Sequence, residues 1–348
     1  MSTRFEIEPF RESTIPYAAD LLAVRHARDL ALNPLLPQRF ATRDAAQAAI
    51  TAVWEHKWTS GVAVWQGGQL IGYLFGEVKV DTRRGRYAWV QLPGHALAEG
   101  INPELYADMY AAAAPLWTRL GSFEHYIMMP ATDQAGLDIW FNLSFGLQQA
   151  HALRDLAKPL PPRGSPPEIE IRLATPADRD AFVNQLIPVL QHHMTLAPIF
   201  SPELPEFVGS ARKWSAELLT KDDVYIWAAF ADNQMLAYQL YEPADPDDDD
   251  SLFTPNQSIV LHLAATLPEA QGRGIGYALT QHGLQDAREK QYATCLVDWR
   301  TTNNEARRFW LGVGFKPAAY RLVRRLDPRI AWAHQNNTDS IERGVESI

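Results

Sequence analysis

A mixed α/β fold, α+β in the make-up of its sheet and present twice in tandem, is the architecture that this sequence predicts. Three observations carry that prediction. Apolar residues alternate between a spacing of two and a spacing of three to four along the chain, so strands and amphipathic helices interleave. The same order of elements stands on either side of a proline-rich stretch, AKPLPPRGSPPE, at 157–168. One apolar run of strand length, Ile259 to Ala265, passes through a glycine-rich turn straight into a helical pattern. A length of 348 residues also suits two domains better than one.

The first half begins with alternation at Phe5 and Ile7, a short strand within Thr3–Phe10. Ser13 offers an N-cap for a helix with Tyr17, Leu21, Leu22 and Val24 on one face. Residues 31–40 read as loop and Arg43–Trp58 as a second amphipathic helix. GVAVWQGGQLIGYLFGEV is two apolar runs joined through Gly67-Gly68, a hairpin pattern. A strand at Tyr87–Leu92 follows, then a helix within Asn102–Leu120, a strand at Tyr126–Met129, a helix at Ala135–Leu143 and a strand at Ala150–Leu156.

Residues 157–168 have almost nothing to bury and read as an extended, semi-rigid linker. Beyond it come a strand at Glu168–Leu173, helices at Pro176–Leu190 and Glu206–Leu219, and a hairpin of Val224–Phe230 with Met235–Tyr241. After the glycine-rich unit stand a strand at Thr294–Trp299, a helix at Asn304–Leu311 and a strand at Ala319–Leu326. IEPFRESTIPYAADL echoes IRLATPADRDAF, and WFNLSFGLQQAHALRDL echoes FWLGVGFKPAAYRLVRRL. An internal duplication is therefore expected, with domains at 1–156 and 169–327, the linker between them and a tail at 328–348.

The turn after Pro268 holds Gln271-Gly272-Arg273-Gly274-Ile275-Gly276. The first amides of a helix lack intrahelical acceptors and carry the positive end of its dipole. Glycine lets such a backbone close on an anion without a Cβ in the way, and Arg273 adds a full positive charge. No Lys-Ser/Thr follows, which excludes a nucleotide-hydrolase P-loop, and the spacing is not GxGxxG.

Composition narrows the partners. A net charge of −9 disfavours nucleic acid, whose phosphates require a basic surface. A single cysteine, Cys295, excludes an internal disulfide framework and a CxxC metal site and fits a reducing cytoplasm. No stretch of 18 consecutive apolar residues is present, and MSTRFEIEPFRE does not read as a signal peptide, so neither membrane insertion nor secretion is expected. No metal site is expected, and monomer and homodimer both stay open.

The Q/R-x-x-G-x-G pattern of 271–276, set behind a strand ending in Thr266-Leu267-Pro268-Glu269, resembles the pyrophosphate loop of the GNAT N-acetyltransferase superfamily. Asn303-Asn304-Glu305-Ala306-Arg307-Arg308-Phe309-Trp310 with Gly314-Phe315 is similar to that family's N-x-x-A-x-x-F-Y…G-F segment. The resemblance is specific over Ser258–Leu326 and looser back to Glu168. It implies two tandem GNAT acyl-CoA N-acyltransferase domains, with acetyl-CoA as cosubstrate and a small-molecule primary amine as acceptor. In the first half Pro93-Gly94-His95-Ala96-Leu97-Ala98-Glu99-Gly100 replaces the glycine spacing, so that domain is expected to be degenerate. A non-catalytic acyl-CoA-binding or sensing protein, a structural or interaction protein, and an acceptor other than a small-molecule amine are the alternatives.

By the same resemblance, Ala264, Ala265 and Thr266 would pair through their backbones with the amides of pantetheine. Gln271, Gly272, Arg273, Gly274, Ile275 and Gly276 would hold the pyrophosphate, and Asn303 would contact the cofactor. Trp310 stands where many members have the tyrosine that protonates the leaving thiolate, and an indole is no usable acid. Tyr320 is then a candidate acid, or else a half-buried strand tyrosine. His262, two residues before Ala264, is a candidate general base, since an imidazole pKa near 6.5 suits that task; a core histidine is the other reading. Glu269 reads as a solvated loop acid, His192-His193 as lining an acceptor cleft, and Glu242–Asp250 (EPADPDDDD) as a solvated loop. Cys295 lies inside an apolar strand and gives no reason to propose an acyl-enzyme.

Overall fold

The structure, a computed structural model, describes residues 5–82, 84–162, 168–201, 204–248 and 251–333. It divides into two compact units, residues 1–148 with 319–348 and residues 149–318.

In the first unit β1 (Glu6–Pro9) leads into α1 (Ile15–Leu32) and α2 (Arg43–Trp54), followed by β2 (Thr59–Gln66) and β3 (Gln69–Asp81). Then come β4 (Gly85–Val90), β5 (His95–Leu97), α3 (Leu105–Thr118), β6 (Glu124–Pro130) and α4 (Gln134–Asn142). The Gly67-Gly68 turn has φ of 57° and 79°, the left-handed pair that a two-residue hairpin turn needs. The helix α1 ends at Leu32, just inside the stretch read as loop, and its inner face differs from the apolar face expected. Tyr17 and Val24 are exposed, while Arg25, His26 and Asp29 are buried beside Ala18, Ala19 and Leu22. Val62, Leu74, Val90, Met109, Trp117, Ile127 and Trp140 belong to the core between this sheet and α3 and α4.

In the second unit β7 (Gly146–Asp155) precedes β8 (Glu170–Leu173) and a helical run of α5 (Arg179–Ala181), a π-helical turn (Phe182–Leu186) and α6 (Ile187–Thr195). There follow α7 (Pro205–Leu218), β9 (Tyr225–Ala231), β10 (Gln234–Pro243), β11 (Ser258–Thr266), α8 (Ile275–Glu289), β12 (Thr294–Arg300) and α9 (Asn304–Gly312); β13 (Lys316–Arg325), from Ala319 on, and α10 (Arg329–Ala333) belong to the first unit. Its apolar core takes in Phe182, Leu186, Ile226, Tyr238, Leu240, Ile275 and Leu279.

The two sheets have one topology. In the first unit the order is β1-β2-β3-β4-β6-β13, antiparallel except for the parallel β4–β6 pair. In the second it is β8-β9-β10-β11-β12-β7, antiparallel except for the parallel β11–β12 pair. The duplication shows in the element starts as well: α4 begins at Gln134 and α9 at Asn304, so 304 − 134 = 170. The last strand of each half completes the other unit's sheet. Gln149–Asp155 of β7 pairs with β12, and Ala319–Arg325 of β13 pairs with β6. The compact units therefore do not coincide with the boundaries at 156 and 169 read from the sequence, because pairing partners are not encoded in a strand's own periodicity.

Of the linker, 157–162 is described and has no regular structure; 163–167 lies outside the described residues, as does the tail from 334. Among the described residues, no helix is long and apolar enough to cross a membrane.

Candidate functional site

The site in the second unit starts from a strand that loses one neighbour. β11 pairs with β12 only from Ser258 opposite Thr294 to Leu261 opposite Val297. It stays paired with β10 as far as Thr266 opposite Ala237. The Leu267 N–H donates to the Leu236 carbonyl at 2.8 Å. In an antiparallel ladder alternate residues bond to the same neighbour. Leu267 and Ala265 thus spend their backbone groups on β10, and those of Ala264 and Thr266 point to the opposite edge. Of the three residues named on this strand, Ala264 and Thr266 carry the edge available to a ligand.

From that edge the chain passes a 3-10 turn, Pro268–Ala270, into the glycine loop. Gly272 and Gly274 have φ of +74° and +80°, and an added Cβ at either would meet nothing within 4 Å. Their backbone conformation, not crowding, is what requires glycine. Gly274 is the N-cap of α8 and makes no side-chain cap, so the first amides of this 15-residue helix are left to an external acceptor. The Gln271 amide donates to the Thr266 carbonyl at 3.4 Å, tying loop to strand. Arg273 is engaged by Glu168 at 2.6 Å, and a backbone hydrogen bond at Glu168 together with the bond to Arg273 holds that carboxyl below the ordinary range. Behind the loop, Gln239 donates to the Thr280 hydroxyl at 2.8 Å and the Gly276 carbonyl at 3.3 Å, and accepts from the Tyr241 hydroxyl at 2.7 Å.

His262 sits at the start of the open edge. The β10–β11 register shifts there: Leu240 pairs with Leu263 and Tyr241 with Leu261, so His262 is the extra residue of a bulge. Its side chain is 46% exposed, which removes it from the core. Nδ1 lies 2.9 Å from Glu242 Oε1. The hydrogen bond to Glu242 raises the imidazole pKa against a smaller opposing effect of burial, and Asp298 adds to the rise. Trp214 of α7 lies 6.2 Å from the imidazole, centre to centre. Glu242 belongs to β10 and not to a solvated loop; the strand runs on to Pro243, inside the acidic run. Its neighbours 249–250 are outside the described residues.

Asn303 caps α9, its Oδ1 accepting from the Ala306 N–H at 3.1 Å, while its Nδ2 lies 3.5 Å from His193 Nε2. The Asn303–His193 contact brings one of the paired histidines to the motif. Glu269 lies exposed in the 3-10 turn. Trp310 is buried against Phe309 and Phe315. Cys295 is fully buried, and burial pushes its thiol far above the ordinary range. Tyr320 is in β13. It stands opposite Met129 in the sheet of the first unit and packs on that unit's core, because β13 leaves its own half to pair there.

The corresponding place in the first unit is filled. Register aligns His95, Ala96 and Leu97, opposite Leu74, Tyr73 and Gly72, with Ala264, Ala265 and Thr266, opposite Gln239, Tyr238 and Ala237. His95 is fully buried, and its Nε2 donates to the Met128 carbonyl of β6 at 2.8 Å. Arg25 donates to the His95 carbonyl and, at 3.0 Å, to that of Leu92. Tyr106 reaches His95 Nδ1 at 3.2 Å, and Asp29 accepts from Thr132 at 2.6 Å. Sequence reasoning missed this network because periodicity counts apolar residues, and Arg25, His95 and Asp29 are polar groups whose bonding partners lie within the unit.

Residues 190–315 match the family model described as the acetyltransferase (GNAT) family. That segment of the chain is similar to the GNAT acetyltransferase family. No curated protein matches the chain. Among solved structures, the chain is similar to a GCN5-related N-acetyltransferase from Sphaerobacter thermophilus, at 13% identity over 93% of this chain and 96% of that one, TM-score 0.57. It is also similar to the GCN5-related glucosamine N-acetyltransferase region of a fungal multi-domain GH3 beta-N-acetylglucosaminidase, at 13% identity over 93% of this chain and 38% of that one, TM-score 0.53. At such identities the likeness is one of fold. The open strand edge and the uncapped helix lie inside the matched residues.

Proposed function

We propose that the second unit transfers the acetyl group of acetyl-CoA to a primary amine of a small molecule by direct attack, and that the first unit binds no coenzyme. The observation that carries this reading is the unpaired edge of Ala264 and Thr266 running into the uncapped start of α8 through Gly272 and Gly274. Ala264 offers its amide and carbonyl, and Thr266 its amide, to a pantetheine arm. The amides of Gly272 to Gly276, with the guanidinium of Arg273, offer positive potential to a diphosphate. Asn303 adds a side-chain amide at the rim, and Ala265 supports the edge from the β10 side.

At pH 7 a lysine-like ammonium with pKa near 10.4 pays about 4.6 kcal/mol to become the neutral nucleophile. His262 lowers that cost by accepting the proton. The amine nitrogen then bonds to the thioester carbonyl carbon, the carbon–sulfur bond breaks, and the thiolate takes a proton from solvent. The bulge sets His262 beside the strand edge, so base and acyl donor meet by orientation within one unit.

Titration calorimetry with acetyl-CoA and a thiol-release assay over polyamines, amino acids and aminoglycosides test the reading. Micromolar binding and release of coenzyme A with at least one amine are expected. Binding without release from any amine would leave an acyl-CoA-binding protein, and no binding would remove the assignment. Gly274→Glu forces φ of +80° on a residue with a Cβ, at about 1–2 kcal/mol, and sets a like charge at the diphosphate site. Retained affinity in that variant would exclude the loop.

A further inference from the structure

The second unit's carboxylate–imidazole couple recurs in altered form in the first unit, and the comparison assigns a role to a residue that the motifs do not reach. By register Glu242 lies opposite Val260, and Glu77 lies opposite Trp89, the residue before Val90. Leu261 and Val90 are the last residues of their strands paired in parallel, opposite Val297 and Ile127. His262 and Gln91 each come next in the chain. The first unit repeats the contact too: Gln91 Nε2 donates to Glu77 Oε1 at 2.9 Å, where His262 Nδ1 meets Glu242 Oε1 at 2.9 Å. Glu77 also meets His56 at 3.0 Å and Lys79 at 3.1 Å. The duplicated fold keeps the glutamate and varies its partner. An amide holds no proton to give or take near neutral pH, and an imidazole does.

Resting on the acyl-transfer reading above, we propose that Glu242 is the positioning residue of His262, fixing its Nδ1–H so that Nε2 is the nitrogen that takes the acceptor's proton. An ionised carboxylate only accepts hydrogen bonds. At 2.9 Å the shared proton must then sit on Nδ1, and the neutral ring keeps its lone pair on Nε2. Glu242 is the better covered of the two, 30% exposed against 46%, and its strand holds it between β9 and β11, so the imidazole is the mobile partner that gains a defined orientation. The charged groups acting on the couple are Asp298 of β12 on His262 and Lys221, beyond α7, on Glu242. Elements α7 and α6 contribute the Trp214 ring and His193, the latter turned to Asn303. Gln149 of β7 donates to Asp298, which ties down the second carboxylate.

The test uses the full chain with isotope-labelled histidine, His262 being assigned by loss of its signal in His262→Gln. Nitrogen shifts report the tautomer, and the titration midpoint reports the charge of the partner. In the parent protein His262 is expected as the Nδ1–H tautomer, titrating above 6.5. Glu242→Gln keeps an acceptor oxygen and removes the charge, so the tautomer stays and the midpoint falls by about one unit. Glu242→Leu removes both, and the tautomer changes as well. In thiol release with whichever panel amine the parent accepts, Glu242→Gln should move the acid limb down by the same interval. It should leave KM for acetyl-CoA unchanged, with kcat at the plateau lower by about tenfold. His262→Gln should cost about a hundredfold or more. An unaltered tautomer and midpoint in Glu242→Leu, or an equal loss of rate at every pH, would overturn the proposal. Absence of turnover by the parent enzyme is a different failure. It defeats the acyl-transfer reading and with it the base, while the nitrogen shifts still decide whether Glu242 sets the tautomer.

Discussion

His95 and Ala264 occupy one register position in the two duplicated sheets, and a buried imidazole in the first unit stands where the second has a methyl group. The His95 ring bonds across to the Met128 carbonyl, and Arg25 covers the carbonyls of His95 and Leu92. The first unit has thus satisfied from its own side chains the edge that the second leaves open. Acetyl-CoA should accordingly saturate the protein at about one molecule per chain. His95→Ala should leave that ratio at one, because Arg25 still covers the carbonyls. Calorimetry reads the stoichiometry directly, and two molecules bound per chain would contradict the self-filled cleft.

Arg25 should matter for stability and not for coenzyme. Its side chain is 2% exposed and lies 3.8 Å from Asp29, with two backbone carbonyls as acceptors. Arg25→Met keeps much of the volume and strands those carbonyls, with Asp29 left to Thr132 alone. Losing a buried charged donor costs about 2–4 kcal/mol. The urea midpoint should fall accordingly while acetyl-CoA affinity of the folded variant stays within twofold. Weakened binding at unchanged stability would reverse the assignment.

The first unit should also be acid-sensitive. Burial lowers His26 and His125 to about 4 and holds His95 well below the ordinary range. The unfolded chain binds these protons near 6.5, so between about 6.5 and 4 it carries more of them than the folded one. Stability is then complete above 6.5 and falls as pH drops through that window. The slope is about 1.4 kcal/mol per pH unit for each histidine held neutral. His262 works in the opposite sense, since its raised value stabilises below 6.5 and that contribution fades as pH rises through the folded pKa. Asp178, held at about 2 by Arg172, loses its contribution only below the window. Urea midpoints at pH 7, 6 and 5 should decline progressively, and a flat series would mean the buried histidines are protonated in the fold.

How far the sequence carries is clear from particular residues. The turn from Thr266 to Ile275 is legible because the strand pattern, Pro268 and the alternating glycines all encode local backbone geometry. The Gly67-Gly68 hairpin is legible for the same reason. Tyr320 is not, since its strand pattern is readable but its partner, β6, belongs to the other half of the chain. Glu242 is hidden in an acidic run whose first residue belongs to the strand while the next charges lie beyond it. The inner face of α1 is misread because Arg25, His26 and Asp29 are buried by pairing and not by hydrophobicity. What escapes in each case is a contact between residues far apart in the chain.

Gly283 links packing to the coenzyme loop. On α8 it faces Tyr241 so closely that an added Cβ would stand 2.4 Å from the phenol carbon and oxygen. The Tyr241 hydroxyl donates to Gln239, whose amide in turn reaches Thr280 and the Gly276 carbonyl in the first turns of α8. Gly283→Ala must therefore displace a buried ring and loosen the bonds that seat the helix start. Overpacking of this kind costs about 1–3 kcal/mol, and acetyl-CoA should bind more weakly as well. Tyr241→Leu vacates the space and should itself destabilise, yet in that background Gly283→Ala should cost much less. A double-mutant cycle on urea stability and on acetyl-CoA affinity measures the coupling; strict additivity of the two substitutions would show that the Tyr241–Gly283 contact does not seat the loop.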